Sequence, residues 1–368
     1  MASYLAELRS DVILAHPSLR GLHDGDVSTT AHDRHVGRTF LLSYQKLDPT
    51  RDALALALLA RASCLAPGAP IPLDLLLASA ELEPEDAAGQ MALGRLADLG
   101  FVSLGDEGVV LHRLVHAFVG GVAANEAALA AVEGTIIDQA YAINEASYSG
   151  AMAPLVPHLA WATRDHGSRE DVPMARLCNT LDCHWSAVGD YGTARPFAER
   201  ALAINERVLG PDHPNTATSL NNLAALYVAT GAYGAAQPLY ERALAIQERV
   251  LGPDHPDTAS SLNNLASLYV AMGMPAAARP LFERALAICE RVLGIDHPDT
   301  ATSRWWLGEL ELRANNQPGA VVLLTAALAS FTRMLGKDHP TTQQLQRQLT
   351  RLGVSPEAGT EETNDDSH

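Results

Sequence analysis

Aromatic and cysteine side chains are scarce in this chain, and its cations are outnumbered by its anions. The 368 residues include four cysteines, 5% aromatics, and 26 Lys and Arg against 43 Asp and Glu, for a formal net charge of −17. The four cysteines are Cys64, Cys178, Cys183 and Cys289. Cys178 and Cys183 have no second pair to complete a zinc set, so all four are expected as small core residues in a reducing compartment. The negative balance argues against sequence-independent attraction to nucleic acid or anionic lipid. Glu7, Arg9 and Asp11 stand where a signal peptide would be apolar, and the apolar run Ala53 to Ala60 stops at Arg61, well short of the roughly 20 residues of a membrane span. A cytoplasmic protein is expected. No Gly-x-x-x-x-Gly-Lys-Ser/Thr loop occurs, and no Ser/His/Asp, Cys/His or carboxylate constellation points to catalysis. The expectation is therefore a non-enzyme with no cofactor and no metal.

What the chain does have is repetition. Leu209 to Val250 and Leu251 to Val292 are identical at 32 of 42 positions, a looser copy begins at Leu293, and a fourth opens at Leu335. Self-similarity at a fixed period of this length specifies a solenoid, in which each unit buries its apolar face against the next. Within the unit, Leu220, Leu223, Ala224 and Tyr227 fall at helical spacing, as do Ala236, Tyr240, Ala243 and Leu244, with Gly231 as the turn between. A degenerate first unit spans about 167–208, followed by units 209–250, 251–292 and 293–334 and a capping helix over 335–352. Each Asp-His-Pro triplet (His213, His255, His297, His339) is expected to start a helix, with proline in the first turn and Asp or Asn satisfying free N–H groups.

These positions, Leu-Ala, Tyr, Gly, Tyr, Ala, match the tetratricopeptide signature, and the LG-DHP, LNNLA and PLYERALAI elements resemble kinesin-light-chain-like repeats. The resemblance implies a mostly all-α fold containing a right-handed solenoid, and a protein or peptide ligand held in its concave groove. In such domains an Asn just before the Leu-Ala pair pairs with ligand backbone, which points to Asn222 and Asn264, with Asn221 and Asn263 beside them. In the third unit Trp305 and Trp306 replace the asparagines. Two adjacent tryptophans cannot both enter one core face, so Trp306 is expected to line the groove as an apolar anchor, flanked by Arg304 and Arg313, which would favour acidic side chains.

Upstream, residues 1–50 are expected as a helical segment, with helical spacing at 3–14 and about 35–47 around a polar stretch. Residues 51–122 read as an apolar helix (Leu54 to Leu65), a short helix (Leu73 to Ala80), a third (Glu85 to Leu99), and a hairpin wing from Phe101-Val-Ser-Leu and Val109-Val-Leu. This is a winged-helix pattern. Glu83, Glu85, Asp86 and Asp98 against the single Arg95, with Asp106-Glu107 at the wing tip, have the wrong sign for DNA. The segment, ending in Leu111-His112-Arg113-Leu114-Val115, resembles the winged helix of NB-ARC, or STAND-type, signalling ATPases. The resemblance makes His112 a candidate nucleotide sensor and a nucleotide-binding domain on another chain a candidate partner. Its functional implication is the alternative reading, the sensor half of such an ATPase switch. Residues 123–166 are expected as adaptor helices and 353–368 as an acidic disordered tail.

Overall fold

In the computed structural model a proline opens each of five helices: Pro214, Pro256, Pro298 and Pro340 stand 42 residues apart in the array, and Pro275 begins a second-in-pair helix. A proline is well placed in a first turn, where its missing N–H costs no helix hydrogen bond. The structure describes residues 40–122, 126–145, 149–165 and 169–354. The helical expectation for most of residues 1–50 and the tail expectation beyond 354 lie outside them. The chain divides into two compact units, one of residues up to Arg169 with Arg176–His184, the other of Glu170–Ala175 with Trp185 onward.

The first unit opens with helix α1 (Ala53–Ala62), strand β1 (Pro70–Ile71), helices α2 (Leu73–Ala78) and α3 (Ala87–Asp98), and strands β2 (Val102–Gly105) and β3 (Gly108–Leu111). The sheet order is β1-β3-β2, antiparallel throughout, with Ile71 paired to Val109 and Val102 to Leu111. The wing therefore has a third strand, two residues long. Wing and strand approach closely at Gly108, where a Cβ would fall 2.1 Å from the Ile71 carbonyl oxygen. This arrangement is compatible with a winged helix. Helices α4 (Arg113–Val122), α5 (Glu126–Glu145) and α6 (Val156–Asp165) follow, with a 3-10 turn at Ser149–Met152. Leu58, Leu59, Leu75, Leu77 and Leu93 are fully buried in this unit. The single arginine of α3 is tied down: Arg95 lies 3.6 Å from Asp52 and donates to the Lys46 carbonyl.

Helix α7 (Val172–Ala187) has residues in both units. In the second unit follow α8 (Tyr191–Val208), α9 (Pro214–Ala229), α10 (Tyr233–Val250), α11 (Pro256–Ala271), α12 (Pro275–Val292), α13 (Pro298–Arg313), α14 (Gln317–Leu335) and α15 (Pro340–Arg351). From α7 onward the odd-numbered members are called A helices and the even-numbered ones B helices; α9 with α10, α11 with α12 and α13 with α14 pair as hairpins, and successive A helices α9, α11 and α13 touch. Ala224, Ala236, Ala266 and Ala278 are fully buried, and their small side chains let Tyr240 and Phe282 fill the space between helices. Gly231 and Gly273 make the hairpin turns at φ 78° and 76°, and Asn315 takes the same left-handed conformation at φ 58°, which asparagine tolerates better than other non-glycine residues. Helix α14 is long and apolar enough to cross a membrane by composition alone, contrary to the reading of the apolar runs, but Ala320, Leu324, Ala327 and Phe331 are buried against α13 and α15.

Candidate functional site

The face of the A helices carries the residues singled out from sequence, and the structure separates them. The Asn221 amide donates to Ser261 Oγ at 2.7 Å, and Asn263 donates to Ser303 Oγ at 2.9 Å, each reaching one repeat onward. Asn263 is buried at 8% exposure and also accepts from Ser303. These two asparagines belong to the joints between repeats, which corrects their placement among groove residues. An α-helix turns about 100° per residue, so neighbours in sequence point in different directions. Asn222 and Asn264 accordingly remain half-buried. The Asn264 side-chain amide makes no hydrogen bond among the described residues.

The third unit is divided in the same way. Trp305 packs on the core of Ala301, Phe331, Leu345 and Leu349, and its indole N–H donates to Gln348 at 3.2 Å. Trp306 packs the other way, on Ala266, Phe282 and Leu307, stacked 5.7 Å from the Phe282 ring at 10°. The tryptophans lie 6.5 Å apart and serve two different joints, which is how adjacent large rings are both accommodated. Trp306 is thus part of a joint as well as half-exposed, and its indole N–H makes no hydrogen bond among the described residues.

Arg304 does not flank a groove. It stands 42 residues beyond Leu262 and 84 beyond Leu220, both fully buried, and it occupies their position at 13% side-chain exposure. From there it reaches Glu290 at 2.7 Å and the Ile295 carbonyl at 2.9 Å. In the preceding units the equivalent glutamates, Glu206 and Glu248, pair with Arg242 and Arg284 of the next B helix. Position 326 is alanine, and Arg304 supplies the missing cation. Arg313 is exposed and is in no ion pair among the described residues, whereas Arg242, Arg249, Arg279, Arg284, Arg291, Arg304 and Arg333 are all paired.

The Asp-His-Pro triplets are helix starts, with one correction. The histidine is the cap: Nδ1 of His213, His255, His297 and His339 accepts from the backbone N–H two residues on, at 3.1 to 3.2 Å. The aspartates are used elsewhere, Asp212, Asp254 and Asp296 pairing with Arg249, Arg291 and Arg333. His112 has the same local duty, accepting from the Leu114 N–H at 3.3 Å at the start of α4. Sequence reading missed both ladders, although their residues recur at the repeat period.

Burial pushes the Cys289 thiol up to about 11 and the Tyr240 phenol up to about 12. Glu311, standing where earlier units have Tyr227 and Tyr269, is held below the usual carboxylate range by the hydrogen bonds from Arg279 and Asn316. Among the described residues no three His, Cys, Asp or Glu side chains cluster as a metal site would need.

The tetratricopeptide repeat family model matches this chain at residues 182–249, 230–290 and 268–333. No curated protein matches it. Among solved structures it is similar to a Podosopora anserina putative kinesin light chain with nearly identical TPR-like repeats, at 24% identity and a TM-score of 0.44, over 54% of this chain and 94% of that one. It is also similar to BtubC from P. vanneervenii, at 20% identity and a TM-score of 0.43, over 60% and 82% of the two chains. A STAND protein with a tetratricopeptide repeat sensor from Pyrococcus horikoshii aligns at 12% identity and a TM-score of 0.40, over 93% and 62%. The pairing of A and B helices at a 42-residue period and the family match together establish that residues 182–333 of this chain are tetratricopeptide repeats.

Proposed function

We propose that the chain is a non-catalytic interaction scaffold whose A helices hold an extended segment of a protein partner. Tetratricopeptide repeats are protein-interaction scaffolds; the finer reading is that Asn222 and Asn264 pair with the partner's backbone while Trp306 anchors an apolar side chain. Arg313, two turns beyond Trp306 on α13, meets a carboxylate of the partner. One observation carries the reading. Asn264 and Trp306, at equivalent positions of successive A helices, keep their N–H donors unused among the described residues, while their neighbours Asn263 and Trp305 are hydrogen-bonded into joints. A half-buried amide that can donate and accept at once suits a peptide backbone, and a half-exposed ring suits an apolar anchor.

The test is selection of a random-peptide library on the full chain, followed by affinity measurement of a selected peptide on variants. Asn264→Ala and Trp306→Ala are each expected to weaken binding by about tenfold or more, the usual cost of truncating an interface anchor. Peptides that bind both variants as tightly as the parent chain would overturn the assignment.

A further inference from the structure

His158 of α6 is completely buried, yet both of its ring nitrogens are engaged with one short segment of chain. Nδ1 accepts from the Ala66 N–H at 3.0 Å, and Nε2 lies 2.9 Å from the Pro70 carbonyl oxygen. A carbonyl can only accept and an amide N–H can only donate, so the ring must be neutral with its proton on Nε2. The segment it spans, residues 66–70, joins α1 to β1. Gly68 at its middle donates to the Leu111 carbonyl of β3, and Pro70 pairs with Val110 in the sheet. A second histidine, His116 of α4, binds the preceding carbonyl, Leu65, at 2.9 Å and meets the Trp161 ring of α6 edge-on at 5.4 Å.

We propose that His158 is an acid-released clasp, holding α6 to the α1–β1 segment while neutral and letting go when it takes up a proton. Protonation would place an Nδ1–H against the Ala66 N–H at 3.0 Å, donor facing donor, inside a site closed to water. His116 is not the trigger, because a ring that donates to the Leu65 carbonyl from Nε2 can do so in either charge state. The charged groups on the surrounding elements are directed elsewhere. Arg61 of α1 donates to the Ser79 and Ala57 carbonyls, and Glu133 of α5 is paired with Arg169 at 2.6 Å. Arg164 of α6 bonds its own helix at Ala160, Arg113 of α4 lies over Gly68, and the Cys64 thiol is pushed up to about 11 by burial. None of these charges acts on the ring, whose proton affinity is lowered by burial and only partly restored by the Pro70 carbonyl.

The sign follows from linkage. A histidine whose folded pKa lies below its unfolded one contributes stability that is fully present above the unfolded value, roughly 6.5, and is lost as pH falls toward the folded value. Each pH unit across that window changes the clasp's closing equilibrium by about tenfold.

Hydrogen exchange on the full chain from pH 7.5 to 5, corrected for intrinsic rates, tests this against His158→Gln. A glutamine amide can accept from Ala66 and donate to Pro70 without titrating. The expected result is that residues 65–70 and 156–165 of the parent chain lose protection by about tenfold or more on acidification, while His158→Gln shows no such loss. Should His158→Gln fail to fold, the histidine ring signals of the parent chain give the same answer by NMR, with His158 expected to titrate below 6.5. Protection that is independent of pH, loss that persists unchanged in His158→Gln, or an ordinary titration of the His158 ring would each overturn the proposal.

Discussion

The units 251–292 and 293–334 share a fold but reach it with different side chains. Where the earlier unit uses Leu262, Ala266 and Tyr269 on its A helix, the later one uses Arg304, Gly308 and Glu311. Each substitution has a structural counterpart. Arg304 answers the loss of a B-helix arginine at 326, Glu311 pairs with Arg279 at 2.7 Å, and Gly308 makes room for Leu324, which stands where Phe282 stands one unit earlier. The unit 293–334 is therefore a repacked unit, adjusted as a set. What is left over after that adjustment, the Trp306 N–H and Arg313, each without a hydrogen bond or ion pair among the described residues, is where the case for a partner is concentrated.

The comparison breaks most strongly at Gly308. A Cβ there would sit 2.7 Å from Leu324 Cδ2. Gly308→Ala gives the third unit the alanine of its neighbours and is expected to cost about 1–3 kcal/mol by overpacking. Adding Leu324→Phe, which restores the other half of the earlier arrangement, should recover part of that loss in a thermal melt. Equal stability of the parent and Gly308→Ala would mean that the two positions are not coupled.

A smaller effect is expected at Arg304. Arg304→Leu restores the apolar side chain of the earlier units while leaving Glu290, which is 41% exposed, to solvent. Replacing a largely buried ion by a well-packed apolar group is often close to neutral, so chemical denaturation should place Arg304→Leu within about 1 kcal/mol of the parent chain. Arg304→Ala keeps neither arrangement and should fall further. The order reversed would show that the ion pair, and not the filled position, stabilises this joint.

Sequence carried the architecture because a 42-residue period is visible without any contact information. It did not divide the asparagine pairs. Which of Asn263 and Asn264 faces the next repeat depends on Ser303, 40 residues away, and nothing in the local pattern announces that bond. The division of the tryptophans is hidden for a related reason: a helix between two neighbours has two core faces, so adjacent rings can turn opposite ways. Arg304 was legible, since counting back 42 residues lands on a core leucine, but its proximity to the tryptophans suggested a groove. The histidine caps were read as helix starts without their chemistry, because side-chain capping is usually expected from Asp, Asn, Ser or Thr.

The division of neighbouring asparagines is the central claim, and paired truncations test it most directly. Asn263→Ala removes a buried hydrogen bond to Ser303 and should lower stability by about 1–3 kcal/mol, with peptide affinity nearly unchanged in the folded protein. Asn264→Ala should leave the thermal midpoint almost where it was, and weaken a selected peptide by about tenfold or more. The opposite pattern, with Asn264→Ala destabilising and Asn263→Ala weakening the peptide, would contradict the account.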